Sequence, residues 1–305
     1  MVNDKNSCCV ENTAKNTNEE LNKNTGCCEG ANDKEPDEKL ENDSECGCGC
    51  GGEFPDESLV INPKNPKKIA EIDLIEDFEQ IAHSMGIVSI GYANIGPEWG
   101  NTDEPLKYSN VIVLTLEMSK DIIEAPPGPK AQELNDATYT KLGHITYALS
   151  DFIRAKGYAT QVAHPYGGLV SFSPLGQEAG IGWIGQSGLL ITPELGPRQK
   201  ISAILTSIEN LPIQTKENHS WITEYCEKCG KCLKACPEKA LIEIEGCCGS
   251  KETHFIQNRC IGCSQGCTYC IEGCPFDQNG YEHIKNRFDK MKAKLEERKK
   301  DKIKT

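Results

Sequence analysis

The chain has 305 residues, 18 cysteines and a formal net charge of −13. This length allows one large or two ordinary domains, and the acidity argues against nonspecific nucleic-acid binding, which requires basic surface. No apolar run approaches the roughly twenty residues needed to cross a bilayer, and the N-terminus shows neither a secretory nor a twin-arginine signal. We therefore expect a cytoplasmic location, where many cysteines indicate metal ligation and not disulfides.

Residues 1–56 form an acidic tail with almost no large apolar side chains. Such a segment cannot bury enough surface to offset the entropy of ordering, so we expect it to be disordered. It contains the pairs Cys8-Cys9 and Cys27-Cys28 and the tract CGCGCGG at residues 46–52. These thiols could capture soft metal ions, donate sulfur or reach a cofactor, or they could have no fixed partner.

Residues 57–215 have the pattern of an α+β domain. Helical spacing predicts a helix within residues 67–87 that ends at Gly86, and a long amphipathic helix within residues 137–160 that ends at Gly157. Strands are predicted at 88–95, at 110–118, from 160 and at 200–208. The prolines of residues 122–132 predict a loop. The apolar face of the long helix comprises Leu142, Ile145, Leu149, Phe152 and Ile153.

Glycine is dense between residues 176 and 188. Glycine permits positive φ and a close approach of other atoms to the main chain, so this stretch is typical either of a ligand-binding segment or of tight turns. The GIGWIG sequence is a poor dinucleotide fingerprint, because neither a good strand precedes it nor a good helix follows it.

Two cysteine runs, CEKCGKCLKACP at 226–237 and CIGCSQGCTYCIEGCP at 260–275, define a ferredoxin-type domain over residues 216–282. In the bacterial ferredoxin spacing, three close thiolates and one remote thiolate hold each [4Fe-4S] cluster. We predict that cluster one is held by Cys226, Cys229, Cys232 and Cys274. Zinc is the alternative metal for such spacings, and the Cys-Pro ending of both runs disfavours it.

Cluster two has three ligands predicted by the same spacing, which are Cys236, Cys267 and Cys270. Ser264 stands where a regular repeat would place the fourth, so either Cys260 or Cys263 completes the set. After this domain, residues 283–305 are predicted to form a basic helix that is either solvated or docks an acidic partner or the acidic tail.

Four segments in this order resemble reductive dehalogenases and epoxyqueuosine reductases: LSDFIRAKGYAT, EAGIGWIGQSGLLITPELGPR, EYCEKCGKCLKACP and GCTYCIEGCPF. The resemblance implies a nitroreductase-like α+β domain that binds a corrinoid (cobalamin), followed by the ferredoxin-type domain with two [4Fe-4S] clusters. It implies a corrinoid lying between the domains along the glycine-rich stretch, with contacts from Gly180, Gly182, Gly185, Leu189, Thr192 and Arg198. It also favours Cys260, in the segment NRC, as the fourth ligand of cluster two.

The resemblance further suggests two candidate proton donors. Tyr139 is the nearest match to the dehalogenase tyrosine that precedes the FIR segment. Tyr166 stands where epoxyqueuosine reductases have an aspartate, and the sequence shows no aspartate nearby. Either tyrosine could instead simply pack with its hydroxyl satisfied, and His164 could line the same pocket or belong to the core. Gln186 replaces a basic residue that many relatives carry after GIGWIG.

We therefore expect a cytoplasmic cobalamin-dependent reductase of reductive dehalogenase-like architecture. An external low-potential donor of the ferredoxin or flavodoxin type would supply electrons, the clusters would deliver them to the corrinoid, and the substrate would be a small molecule. The alternatives are a dicluster electron-transfer protein without corrinoid, a short tRNA epoxyqueuosine reductase-like enzyme, and a metal- or sulfur-handling protein based on the N-terminal cysteines. Acidity and the missing helical repeats after the ferredoxin-type domain disfavour tRNA.

Overall fold

The computed structural model describes residues 54–213, 219–245, 251–262 and 265–303. Residues 1–53 of the N-terminal tail with their cysteines, and Cys263 and Ser264, lie outside the described residues. So does the adjacent pair Cys247-Cys248, which fits neither cysteine run and is predicted to be a loop feature without a ligand role. None of the described helices has both the length and the apolar character needed to cross a membrane.

Strands and helices alternate irregularly along the chain. The strands are β1 (Ile87–Asn94), β2 (Asn110–Glu117), β3 (Thr160–Ala163), β4 (Trp183–Ile184), β5 (Leu190–Ile191), β6 (Gln199–Thr206), β7 (Leu241–Glu245) and β8 (Lys251–Phe255). The helices are α1 (Ile72–Ser84), α2 (Lys120–Glu124), α3 (Pro129–Ala155), α4 (Phe172–Glu178), α5 (Trp221–Cys229), α6 (Lys231–Ala235), α7 (Tyr269–Glu272), α8 (Pro275–Asn279) and α9 (Tyr281–Ile303). Short 3-10 helices cover Pro97–Trp99 and Gln257–Arg259.

A four-stranded antiparallel sheet in the order β1-β2-β6-β3 forms the centre of the first domain. Its two central strands are buried on both faces, as their β-branched sequences predict. Helices α1 and α3 pack on one face, around Phe78, Leu142 and Ile204. Helix α4 covers the other face, where Leu175 packs near Val113. The predicted α+β class is confirmed, and so are the four predicted strands, three of eight residues and one of four.

The loop predicted over residues 122–132 is too long, because only residues 125–128 lie outside helices. Helix α2 ends at Glu124, and α3 begins at Pro129 instead of near residue 137. Proline is tolerated there because the first residue of a helix has no intrahelical partner for its N–H. Gly128, with φ 148°, makes the turn into the helix. The predicted apolar face of α3 is otherwise confirmed, since four of its five residues are fully buried and Phe152 is partly buried.

The C-terminal part comprises α5 to α9 and the β7-β8 hairpin. Its core contains Ile222, Phe276 and Ile284, and it also includes Ile191 of β5. Glycines allow the two parts of the chain to touch: a Cβ added at Gly266 would lie 2.3 Å from the main-chain carbon of Ala131. The described ferredoxin-type segment therefore packs directly against α3, and it meets the glycine-rich stretch through Ile191. The predicted basic helix is confirmed as α9.

Candidate iron–sulfur and active site

Four cysteines from two distant parts of the sequence line one narrow cavity in the C-terminal part. Cys226 and Cys229 lie in α5, Cys232 lies in α6, and Cys274 precedes α8. The turn between α5 and α6 is made by Gly230, whose left-handed φ of 56° suits glycine. Within the described ranges, no group of three or more His, Cys, Asp or Glu side chains is placed to hold a single metal ion.

The glycine-rich stretch closes this cavity. Gln186, Ser187 and Ile191 line it opposite the thiols. A Cβ added at Gly185 would lie 3.6 Å from the Cys226 sulfur, so the main chain here runs beside the thiol, and it would lie 2.7 Å from the Ile191 side chain, which requires glycine. The Gln186 side-chain oxygen is buried and has no hydrogen-bond partner in the described part of the chain. An unsatisfied polar atom at a thiol-lined cavity indicates room for a bound group there.

Burial governs the protonation of these thiols. Burial, assisted by neighbouring thiols, raises the pKa of Cys226 to about 11 and that of Cys274 to about 12. Main-chain N–H groups of Gln186, Phe276 and Asp277 act in the opposite direction. Metal binding requires thiolates, so a cluster entering this cavity must displace the protons. Four soft thiolate donors around one cavity are the donor set that a [4Fe-4S] cluster needs, so the residues fit the cofactor.

The remaining predicted cluster ligands lie on neighbouring elements. Cys236 directly follows α6, and the Ala240 N–H donates to its sulfur at 3.3 Å. Cys270 lies in α7, which touches α6 where a Cβ on Gly273 would come within 2.7 Å of Ala235. Cys260, which is exposed, follows the second 3-10 helix, and Cys267 lies two residues before α7. The alternative ligand, Cys263, lies outside the described residues.

The two candidate tyrosines form a stack. The rings of Tyr139 and Tyr166 are 4.3 Å apart, with 24° between their planes. The buried Lys200 places its ammonium group 4.1 Å from the centre of the Tyr139 ring, within the range of a cation–π contact. Sequence patterns do not predict this contact, because Lys200 lies within the buried strand β6 and far from Tyr139 in the chain.

A carboxylate also reaches the stack. The Tyr166 hydroxyl donates to Asp136 Oδ1 at 2.5 Å. The sequence showed no aspartate near Tyr166, yet α3 supplies one from thirty residues upstream. Tyr166 is therefore hydrogen-bonded to an acid, whereas Tyr139 lies beside a cation.

Residues 54–62 form an N-terminal strap that borders the same stack. The Phe54 ring lies 4.8 Å from the His164 ring and nearly parallel to it, and 5.6 Å from that of Tyr166. The strap is held by Asp151, which accepts the N–H groups of Leu59 and Val60. His164 fits under the strap because α3 has a glycine opposite it: a Cβ on Gly143 would lie 2.1 Å from His164 Nε2.

Arg154 anchors the strap. This buried side chain donates to the Asp56 carboxylate and to the Val60 carbonyl oxygen. Burial opposes ionisation of Asp56, but hydrogen bonds from Ser58 and Arg154 outweigh it, so the pKa of Asp56 falls below its usual value of 3.8. The strap is thus fixed by charge and main-chain bonds close to the tyrosines.

The six residues predicted to contact a corrinoid are largely engaged by the chain itself. Gly182 and Gly185 pack on Ile191, whose carbonyl oxygen would be 2.3 Å from a Cβ at Gly182. The buried Thr192 hydroxyl donates to Gln199. Arg198 bonds Glu117, Asp277 and the Met118 carbonyl. Gly180 makes a turn with φ 76°, and the partly buried Leu189 packs near Met118. Gly180, Leu189 and Arg198 keep part of their surface exposed.

The four thiols around one cavity are the arrangement expected of a ferredoxin-type iron–sulfur site. A family model described as a 4Fe-4S binding domain matches residues 219–242. The homologues of the chain are reductive dehalogenases and epoxyqueuosine reductases. This chain is 31% identical over 166 residues to a tetrachloroethene reductive dehalogenase of Desulfitobacterium hafniense. The match covers 54% of this chain and 29% of that protein.

An epoxyqueuosine reductase of Gloeobacter violaceus is 33% identical over 137 residues, covering 43% of this chain and 41% of that protein. Among solved structures, the catabolic reductive dehalogenase NpRdhA in complex with 3-bromo-4-hydroxybenzoic acid matches with a TM-score of 0.58 and 17% identity, over 70% of this chain and 33% of that one. The predicted resemblance is thereby confirmed, and this chain spans less than half the length of these relatives.

Proposed function

We propose that the protein is an iron–sulfur reductase whose two [4Fe-4S] clusters pass electrons to an acceptor in the adjoining α+β domain. The observation that carries the proposal is the thiol-lined cavity, where Cys226 and its partners meet the glycine-rich stretch. Cluster one would be held by the four thiols of that cavity. Cluster two would be held by Cys236, Cys260, Cys267 and Cys270.

For the acceptor we propose a corrinoid, because relatives include tetrachloroethene reductive dehalogenases and a reductive dehalogenase described for B12-dependent dehalogenation. The engagement of Thr192 and Arg198 by other side chains of the chain is an observation against this choice. It favours the second candidate function, a dicluster electron-transfer protein without corrinoid. Both candidates use the same clusters and differ only in whether the α+β domain binds a cofactor.

Tyr139 is the proposed proton donor for reduction of the substrate. Transfer of its hydroxyl proton leaves a phenolate, which the neighbouring ammonium group of Lys200 would stabilise. Tyr166 would position Tyr139 by stacking, with its own hydroxyl held by Asp136. We further propose a cytoplasmic location and a small-molecule substrate. The expectation that nucleic acid is not bound is weakened by the epoxyqueuosine reductase relatives.

A binding experiment separates the two candidates. The protein is purified anaerobically, its clusters are reconstituted, and it is titrated with hydroxocobalamin and passed over a desalting column. We expect about one cobalamin to be retained per chain, together with about eight irons. Retention of the irons without any cobalamin would instead assign the electron-transfer function.

A further inference from the structure

Helix α9 is only partly attached to the rest of the protein. Its first two turns are anchored by the buried side chains of Tyr281, Ile284 and Phe288. The apolar stripe continues beyond them with Met291 and Leu295, each 43% exposed. Residues at these three- and four-residue spacings lie on one side of a helix. The outer half of α9 thus presents an apolar strip with nothing from the described residues covering it.

A row of cations flanks this strip. Arg287, Lys290, Lys294 and Arg298 follow one another at spacings of three and four residues, which places them along one ridge of the helix. None of these four cations, here called the basic ridge, forms an ion pair with another described residue. A row of unpaired cations is conspicuous in a chain whose net charge is −13.

The anchored end of α9 lies against the helix that carries two cluster-one thiols. The Phe288 ring is 5.4 Å from that of Trp221 and 6.4 Å from that of Tyr225, the residue immediately before Cys226. Lys292 of α9 forms an ion pair with Glu224 of α5 at 3.3 Å. A macromolecule bound along α9 would therefore lie beside α5 and cluster one.

We propose that α9 is the docking surface for an acidic one-electron carrier protein that reduces cluster one. This inference rests on the proposed function, because only a reductase or relay needs an external donor. Carboxylates on the carrier would face the basic ridge and its apolar residues would cover Met291 and Leu295. The reduced carrier would give one electron to oxidised cluster one. The carrier is thereby oxidised and the cluster reduced by one electron, and no bond is made or broken and no proton moves.

Two other occupants fit the observations less well. The phosphates of an RNA backbone would pair with the basic ridge, but they would not cover the apolar strip that lies between this ridge and α5. The acidic tail, residues 1–53, would satisfy the charges from within the chain, yet it offers few apolar residues to cover Met291 and Leu295. A carrier protein accounts for the charge, the apolar strip and the position next to cluster one.

The test compares charge reversal on the ridge with charge reversal elsewhere. The variant Lys290→Glu/Lys294→Glu is matched by Lys64→Glu/Lys156→Glu, which changes two exposed lysines of the α+β domain by the same total charge. A second ridge variant, Met291→Ser/Leu295→Ser, removes the apolar strip and leaves the cations. All are reconstituted with iron and sulfide, and cluster content is checked for each.

The probes are an acidic bacterial [4Fe-4S] ferredoxin and an acidic flavodoxin, each titrated calorimetrically at several salt concentrations. We expect Lys290→Glu/Lys294→Glu to weaken carrier binding by roughly tenfold or more and to flatten its salt dependence. The matched control should bind as the wild type does. Reduction of the clusters by dithionite, a small reductant that needs no docking, should be equal in all variants.

Several outcomes would overturn the inference. The first is equal carrier affinity in the ridge variant and its control. The second is ridge-dependent binding of tRNA without binding of either carrier. A third is carrier affinity that depends on the ridge only in a protein lacking residues 1–52, which would identify the tail as the occupant. Failure of the proposed function is seen separately, since loss of cobalamin binding leaves the carrier titration unchanged.

Discussion

Replacing Arg198 distinguishes its two possible roles. The guanidinium group donates to Asp277 Oδ1 at 2.9 Å and to Glu117 Oε1 at 2.6 Å. It also donates to the Met118 carbonyl oxygen at 2.6 Å. Glu117 ends β2 and Asp277 lies in α8, so Arg198 joins the sheet to the ferredoxin-type part. The sequence instead suggested that Arg198 contacts a corrinoid.

The structure allows the cost of Arg198→Met to be worked out contact by contact. The pair with Asp277 is largely buried, at 12% and 15% side-chain exposure, and a bond of this kind contributes about 1.5–3 kcal/mol. Glu117 is half exposed, so that pair adds less than about 1 kcal/mol. The Met118 carbonyl loses a donor worth about 1 kcal/mol. Methionine keeps the aliphatic packing, so we expect a loss of about 3–4 kcal/mol in the free energy of unfolding.

Thermal unfolding followed by circular dichroism measures this loss. For a chain of this size about 3–4 kcal/mol corresponds to a midpoint lower by roughly 10 °C. Asp277→Asn should lower the midpoint by a smaller amount in the same direction, because Arg198 keeps its other two acceptors. An unchanged midpoint in Arg198→Met, combined with lost cobalamin retention, would refute the bridging role and assign Arg198 to the corrinoid.

Three further predictions concern other contacts. Cys274→Ser should lower iron from about eight to about four per chain, because cluster one loses a ligand; iron analysis showing no loss would contradict that ligand set. Asp56→Asn removes the charge that pairs with buried Arg154, and since Asp56 is more than one-third exposed the expected cost is only about 1 kcal/mol, seen as a midpoint lower by a few degrees. Burial lowers the pKa of His164 below 6.5, so its stabilising effect is complete above pH 6.5 and is lost as the pH falls through the depressed value. The midpoint of His164→Gln should accordingly fall less between about pH 7 and about pH 5 than that of the wild type, and parallel curves would argue against this assignment.

Local patterns in the sequence predicted much of the fold. Strands β2 and β6 were predicted because β-branched runs leave little alternative to a buried strand. The ends of α1 and α3 were predicted because Gly86 and Gly157 adopt positive φ just beyond them. The start of α3 was missed because proline forbids a helix interior but not its first turn.

The ferredoxin spacing predicted that Cys226, Cys229, Cys232 and Cys274 line one cavity, because that pattern combines three close thiolates with one remote thiolate. Contacts made by tertiary packing carried no such signal. Lys200 reaches Tyr139 across the domain, and Asp136 reaches Tyr166 from α3. The ion pairs of Arg198 could not be predicted either, because its partners Glu117 and Asp277 are each about eighty residues away along the chain.

We propose that the clusters of this chain deliver electrons to a corrinoid bound by the same chain. The reconstituted protein is loaded with cobalamin, reduced with a counted number of electrons and followed by electron paramagnetic resonance and absorption. We predict that the signal of the reduced clusters decays while the cobalt is reduced, with one electron lost for each one gained. If the bound cobalamin stays oxidised while the clusters stay reduced, the clusters do not deliver electrons to the corrinoid, and the proposal is refuted.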